Sequence, residues 1–295
     1  MRVAVLMTCH NRKEKTLSCL SALHDSILTE KEVVLSVYLT DDGCTDGTTD
    51  AIKQQSYCFP ISILPGDGSL FWNGGMINSW NTAISDGGYD GYLWLNDDTI
   101  VLPAFWNDLI LANDYCENTY GKHGIYVGST KDPITGAFTY GGFNYVNKIT
   151  LKDRFVIPNG ISFQECEAAH GNITYVSSSV VEKMGVFCDK YKHGGTDHDY
   201  TYLAHKAGFP ILVLPHYSAT CDNDHDRVKQ REPLSSYPLR ERIKWLYSPF
   251  GYKMSNTLLF NKRCFPYRVP FVYAALLLKV LFPKWTFAFY RTLRK

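Results

Sequence analysis

The residues best suited to chemistry in this chain are carboxylates gathered in three clusters. They are Leu39-Thr-Asp-Asp-Gly-Cys-Thr-Asp-Gly-Thr48, Leu93-Trp-Leu-Asn-Asp-Asp-Thr99 and Gly194-Gly-Thr-Asp-His-Asp-Tyr200. Asp41 and Asp42 follow the apolar run Val33–Leu39, and a carboxylate at a strand end can accept the ring N–H of a uracil- or thymine-type base. Asp97 and Asp98 follow the apolar Tyr92–Leu95. Two adjacent negative charges there call for a cation, and hard ions such as Mg²⁺ or Mn²⁺ take oxygen ligands from one or two carboxylates. Asp197 and Asp199 open a helix-like segment. In a first helical turn a carboxylate either answers the helix dipole, worth ~0.3–1 kcal/mol, or stands ready to take a proton. Asp199 lies three residues after Thr196 and suits the first role; Asp197 is the better candidate base. Structural readings stand beside these: 41–48 as a plain turn and Asp98 as a helix cap.

Short β-rich runs alternate with helical spacing along the chain, and this alternation positions the clusters. Val3–Met7, Val33–Leu39, Ile61–Leu64 and Tyr92–Leu95 read as strands. Arg12–Ala22, Thr45–Gln55, with Thr45 or Asp46 as its cap, and Gly74–Ser85 read as helices. A helix is expected from Pro103 to about Tyr120, then strands and loops over 121–170, a strand at Asn172–Val181, a helix at Thr196–Ala207 ended by Gly208, and a last strand at Ile211–Leu214. This pattern predicts an α/β fold with a mostly parallel central sheet flanked by helices. Open sheets of that kind bind ligands beyond the carboxyl ends of their strands, where Asp41 and Asp98 fall.

The chain has 295 residues, 45% hydrophobic and 14% aromatic, enough for one large core with an extension. Its net charge is only +1, which gives no reason to expect a nucleic-acid partner. That average hides a split: residues 227–295 hold fifteen Lys/Arg and two Asp/Glu, so 1–226 are acidic. We therefore expect a body at 1–226 and a basic, aromatic C-terminal helical extension at 227–295. Val269–Phe282 is apolar but short for a membrane span, and basic and aromatic residues interleave in Lys284-Trp-Thr-Phe-Ala-Phe-Tyr-Arg291. Such a segment suits the surface of an anionic membrane; packing on the body or a homo-oligomer contact are the alternatives. The nine cysteines show no Cys-x-x-Cys pair, and Met1–Met7 runs straight into polar residues. Free thiols in a cytoplasmic setting follow, with the inner face of the plasma membrane as the place for a peripheral contact.

The ordered set Met7-Thr-Cys-His-Asn-Arg12, Asp41-Asp-Gly-Cys-Thr-Asp-Gly-Thr48, Asn96-Asp-Asp98 and Gly195-Thr-Asp-His-Asp-Tyr200 resembles the family 2 inverting glycosyltransferases of the GT-A fold. Gly66-Asp-Gly-Ser-Leu-Phe-Trp-Asn-Gly-Gly-Met76 is similar to a bacterial, rhamnosyltransferase-like subgroup of surface-polysaccharide assembly. The resemblance covers residues 1–226. It implies transfer of a hexosyl or deoxyhexosyl group from a UDP- or dTDP-linked sugar to a glycan or lipid-linked saccharide, with Mg²⁺ or Mn²⁺ as cofactor. Thr8, Asp41 and Asp42 would then bind the base side of the donor, and Trp72, Asn73, Gly74 and Gly75 would lie along it. Asp98, with Asp97 alongside, would hold the metal, and Asp197 would be the catalytic base. Asn96 stands where an Asp-x-Asp motif has its first carboxylate. A metal-binding histidine of several relatives falls nearest to Cys221, with Asp222, Asp224 and His225 as other possible ligands.

Those two departures leave room for a non-catalytic nucleotide- or carbohydrate-binding relative. A nucleotidyltransferase fits less well, because Cys9-His-Asn-Arg-Lys13 lacks a glycine-rich phosphate loop. A dinucleotide-dependent dehydrogenase fits least, since no Gly-x-Gly-x-x-Gly follows the first strand.

Overall fold

The computed structural model describes residues 1–192, 194–222, 234–248 and 253–286. The strands are β1 (Arg2–Cys9), β2 (Val34–Asp41), β3 (Ile61–Pro65), β4 (Gly91–Leu95), β5 (Ile100–Val101), β6 (Ile125–Lys131), β7 (Gly142–Asn147), β8 (Lys152–Phe155), β9 (Gln164–Glu165), β10 (Ala168–Ala169), β11 (Ile173–Ser177) and β12 (Ile211–Thr220). The helices are α1 (Lys13–Ile27), α2 (Thr48–Lys53), α3 (Phe71–Asp86), α4 (Ala104–Tyr120), α5 (Ser178–Met184), α6 (Thr196–Lys206), α7 (Leu239–Tyr247), α8 (Met254–Cys264) and α9 (Val269–Leu281).

The chain divides into two compact units, 1–189 with 196–222, and 190–195 with 223–295. The first is built on a sheet of order β3-β2-β1-β4-β11-β6-β12-β5, with β9 on β12. Strands β3, β2, β1 and β4 are parallel, as are β6 and β12, while β11 runs antiparallel between β4 and β6. The expected α/β architecture with a mostly parallel sheet is therefore present. A second sheet, β10-β7-β8, lies off this path.

Alternation along β1 explains why both faces are covered. Val3, Val5 and Met7 join a buried cluster with Leu20 and Leu23 of α1 and Phe105, Trp106 and Leu109 of α4. Ala4 and Leu6 join another with Met76 and Trp80 of α3 and Tyr200 and Ala204 of α6. Successive strand side chains point to opposite faces, so one apolar run serves two helix layers. On the second face Trp80 meets Trp94 at 5.5 Å and Tyr200 at 5.5 Å, and Trp94 meets Phe187 at 4.5 Å between ring centroids. These contacts fix α6, and with it the third acidic cluster, over the sheet. Removing a buried tryptophan side chain from such a cluster costs ~3–5 kcal/mol.

Several element boundaries differ from the sequence expectation. The helix read at Thr45–Gln55 is the shorter α2, preceded by Gly47 at φ 79°. Asp46 instead accepts the Thr48 amide at 3.2 Å and the Lys13 amide at 2.9 Å, tying the loop to the start of α1. Helix α3 begins three residues before the expected Gly74, because the Asp42 carboxylate accepts the Phe71 amide at 2.9 Å. Strand β12 continues past Leu214 to Thr220, where its last residues pair with β6 and β5.

In the second unit a small core joins α7, α8 and α9 through Leu246, Met254, Leu276 and Val280. Arg242 of α7 donates to the Val280 carbonyl at 2.6 Å. No helix among the described residues is long and apolar enough to cross a membrane.

Candidate active site

The sheet topology puts the first two acidic clusters along one edge, and a hydrogen bond from Gly171, just before β11, ties Asp197 of the third to it. Asp41 ends β2 beside Cys9 of β1, and Asn96-Asp97-Asp98 leaves the same end of β4. Strand β11 runs antiparallel to β4, so its beginning lies at that edge too, and the Asn96 amide donates to the Asn172 carbonyl at 3.0 Å.

The Asp41 carboxylate accepts the Cys44 amide at 2.7 Å and the Thr49 hydroxyl. Burial raises its pKa, but these hydrogen bonds outweigh burial and hold it below the usual carboxylate value. Each oxygen keeps further acceptor capacity. Asp42 is buried and spends its carboxylate on the amides of Gly68, Leu70 and Phe71, at 2.8, 3.3 and 2.9 Å. It thereby fixes the glycine-rich turn and places a negative charge at the N-terminus of α3.

Helix α3 carries four of the residues singled out from sequence. Gly75 lies against Thr8, whose hydroxyl and Cβ fill the space that a Cβ on Gly75 would need. The missing side chain lets α3 approach β1. A Cβ on Gly74 would meet Leu70 at 3.1 Å. Asn73 is buried and donates to the Cys188 carbonyl at 3.0 Å. Trp72 donates its indole N–H to Asn96 Oδ1 at 2.8 Å and packs on Phe187, 5.4 Å between centroids.

The cation demanded by Asp97 and Asp98 comes from the chain itself. Arg12 reaches Asp97 Oδ1 at 3.0 Å with one guanidinium nitrogen and Asp98 Oδ2 with the other. Lys15 lies 4.0 Å from Asp98 and 3.8 Å from Asp222. Asp97 is only 5% exposed, and burial raises its pKa to about 6 against the opposing pull of Arg12. The Cys221 sulfur lies 3.8 Å from Asp98 Oδ1, which is where the resemblance placed a ligand. Burial and the nearby Asp98 push that thiol up to about 12, so it stays neutral. Asp224 and His225 lie outside the described residues.

A hard divalent ion fits this site in a limited way. Among the described residues, the trio whose ligand atoms all approach within 4.8 Å is Cys9, Asp41 and Cys44, not Asp97, Asp98 and Cys221. A neutral thiol is a poor partner for Mg²⁺ or Mn²⁺. The Asp98 carboxylate, with Asp97 beside it, still suits an ion whose remaining ligands are diphosphate oxygens and water.

Asp197 sits in the first turn of α6, after Gly194 and Gly195 at φ 72° and 85°. Its Oδ2 accepts the Gly171 amide at 3.0 Å and lies 3.9 Å from His198 Nε2. Burial raises its pKa, but His198, His170 and the Gly171 amide together bring it below the usual value. The carboxylate is therefore ionised at neutral pH, the state a base requires. His170 stacks edge-on against His198, 4.8 Å between centroids, and its Nδ1 meets the Gly141 carbonyl at 3.0 Å. Burial lowers the His170 pKa to about 4, so it remains neutral. Asp199 is buried.

Gly171 joins the second and third clusters. A Cβ there would stand 3.0 Å from the Trp72 ring and 3.3 Å from Asp197 Cβ. Trp72 thus spans from Asn96 to the loop that holds Asp197. Sequence reasoning missed Arg12 and Lys15 as counter-ions and His170 and Gly171 as the setting of Asp197. Arg12 stood in a quoted motif; nothing in the sequence ties Gly171 to a residue 26 positions away.

No family model and no curated protein matches the sequence. Solved structures are similar in fold. Residues 1–349 of TarS from S. aureus in complex with UDP align with a TM-score of 0.61 at 12% identity, over 99% of this chain and 92% of that one. The same protein in complex with UDP-GlcNAc gives 0.54 at 14%, over 90% and 73%. The mannosyltransferase PcManGT from Pyrobaculum calidifontis, in complex with GDP-Man and Mn²⁺, gives 0.52 at 13%, over 98% and 78%. At these identities the likeness is one of architecture: the chain shares the GT-A-like α/β fold of these structures.

Proposed function

We propose that this protein is an inverting glycosyltransferase that moves a sugar from a nucleotide-diphosphate sugar to a hydroxyl of a glycan or lipid-linked saccharide, in bacterial surface-polysaccharide synthesis. The observation that carries the reading is the Trp72 bridge, which joins Asn96, next to the Asp97–Asp98 pair, to Gly171, whose amide holds the Asp197 carboxylate. Three of the similar structures are complexes with UDP, UDP-GlcNAc or GDP-Man, which supports a nucleotide-sugar donor here.

In this reading Asp41 accepts the base N–H through its remaining lone pairs, which favours UDP- or dTDP-linked donors. Asp98, with Asp97, would hold Mg²⁺ or Mn²⁺, which would supply charge neutralisation for the departing diphosphate. Arg12 and Lys15 bring two positive charges to the same edge and orient anionic groups there. Asp197 takes the proton from the acceptor hydroxyl as its oxygen attacks the anomeric carbon from the face opposite the diphosphate. One C–O bond forms, the bond to the diphosphate breaks, the nucleoside diphosphate leaves, and the anomeric carbon inverts. The Gly171 amide fixes the Asp197 rotamer throughout.

A binding protein without catalysis is the second reading, favoured by Arg12 already neutralising the acidic pair and by the neutral Cys221 beside Asp98. A thermal-shift panel of UDP, dTDP, GDP and ADP with and without Mn²⁺, followed by product analysis with the stabilising donor, separates the two. Stabilisation by a pyrimidine diphosphate and release of that diphosphate from its sugar support transfer. Binding with no turnover on any glycan or lipid-linked acceptor favours the second reading.

A further inference from the structure

The second unit presents a surface that the proposed reaction does not use. Phe271, Leu278 and Leu281 of α9 are 76%, 40% and 51% exposed. Their spacing of seven and three residues, with the exposed Ala274 between them, puts them on one helical face. Phe282 and Trp285, 56% and 69% exposed, follow directly. Leu276 and Val280 of the same helix are buried against Leu246 and Met254, so α9 has a core of its own and still offers an apolar outer stripe.

Charge indicates what covers that stripe. From Ser248 to Lys295 the chain holds nine Lys/Arg and no Asp or Glu. Lys262, Arg263 and Lys284 are exposed close to the stripe in sequence. A second copy of this segment would bring like charges together. An anionic lipid surface instead accepts cations at its headgroups and large apolar side chains just beneath them. Thirteen helical residues extend about 20 Å, less than the ~30 Å hydrocarbon core, so α9 is too short to cross it.

We propose that the outer face of α9 docks on an anionic phospholipid bilayer, with Phe271, Leu278 and Leu281 as the inserted residues and the flanking Lys and Arg as headgroup contacts. This inference is independent of the transferase reading, but it would bring a lipid-linked acceptor within reach of the same chain.

The test is flotation of the full chain, without donor, on vesicles of phosphatidylcholine alone or mixed with phosphatidylglycerol, at low and high salt. The expected result is association with the mixed vesicles only, weakened by salt. The double variant Phe271→Ser/Leu278→Ser, checked for an unchanged melt, is expected to bind roughly tenfold more weakly or worse. Lys262→Gln/Arg263→Gln is expected to lose affinity for the mixed vesicles. Sedimentation of the free protein reports whether the stripe pairs copies instead. Absence of flotation, flotation unaffected by Phe271→Ser/Leu278→Ser, or a dimer that dissociates in that variant without vesicle binding overturns the proposal. Because no sugar donor is present, failure here leaves the transferase reading standing, and failure of transfer leaves this result standing.

Discussion

Trp72 donates its indole N–H to Asn96 Oδ1 at 2.8 Å, and the far side of its ring borders Gly171, whose amide holds Asp197. One side chain of α3 therefore joins the end of β4 to the loop that orients the candidate base. Trp72→Phe keeps most of the ring and removes the hydrogen bond, a loss of about 1 kcal/mol in stability. Trp72→Ala removes the spacer as well, so transfer should fall much further than with Phe. Equal activity in the Phe and Ala variants would contradict this account of the bridge.

Arg12 spans Asp97 and Asp98 and occupies carboxylate oxygens that a divalent ion needs. Arg12→Gln is expected to raise the Mn²⁺ affinity of the donor-free protein by roughly tenfold, since a competing cation is gone. Loss of the free Mn²⁺ signal in electron paramagnetic resonance titrations measures this. Unchanged affinity would mean that Arg12 and the metal do not share Asp98.

Asp97 and His170 give folding stability opposite dependences on pH. The folded pKa of Asp97, raised from 3.8 to about 6 by burial, lies above its unfolded value. The folded state then binds the extra proton in that window, and stability falls as pH rises through it. The shift is worth on the order of 2–3 kcal/mol, lost in full near neutral pH. Asp97→Asn is expected to raise the melting temperature near neutrality and to lose that gain in acid. The folded pKa of His170 is lowered from 6.5 to about 4 by burial, so its contribution is present above 6.5 and disappears as pH falls through that range. His170→Gln is expected to blunt the acid loss. Melts of the three proteins across pH separate the effects, and parallel profiles would refute both assignments.

Gly75 faces Thr8 with no room for a side chain. Gly75→Ala should cost ~1–3 kcal/mol by overpacking. Adding Thr8→Ala should recover part of that loss, and a denaturation double-mutant cycle reads the coupling. Strict additivity would show that the two residues do not meet in solution.

The parallel core was legible because β1, β2 and β4 are apolar along their length, and the turn residues between elements are local signals. Asp98 and Asp197 could be singled out for the same reason: each sits at an element end that the pattern locates. Arg12 as the partner of Asp98 was not legible, since 86 residues separate them and only the pairing of β1 with β4 brings α1 to that edge. The role of Asp42 was hidden likewise, because its partners Gly68 and Phe71 lie 26 and 29 residues on. The helix expected at Thr45–Gln55 is present but starts later for a local reason: Asp46 binds the Lys13 and Thr48 amides, and the helix waits until after Gly47.

The most direct test of the central claim is the transfer rate of Asp197→Asn set beside its donor-induced thermal shift. Asparagine keeps an oxygen for the Gly171 amide but cannot take a proton at neutral pH. The account predicts a rate lower by ~10²-fold or more with the donor-induced shift intact. Wild-type turnover by Asp197→Asn would contradict it.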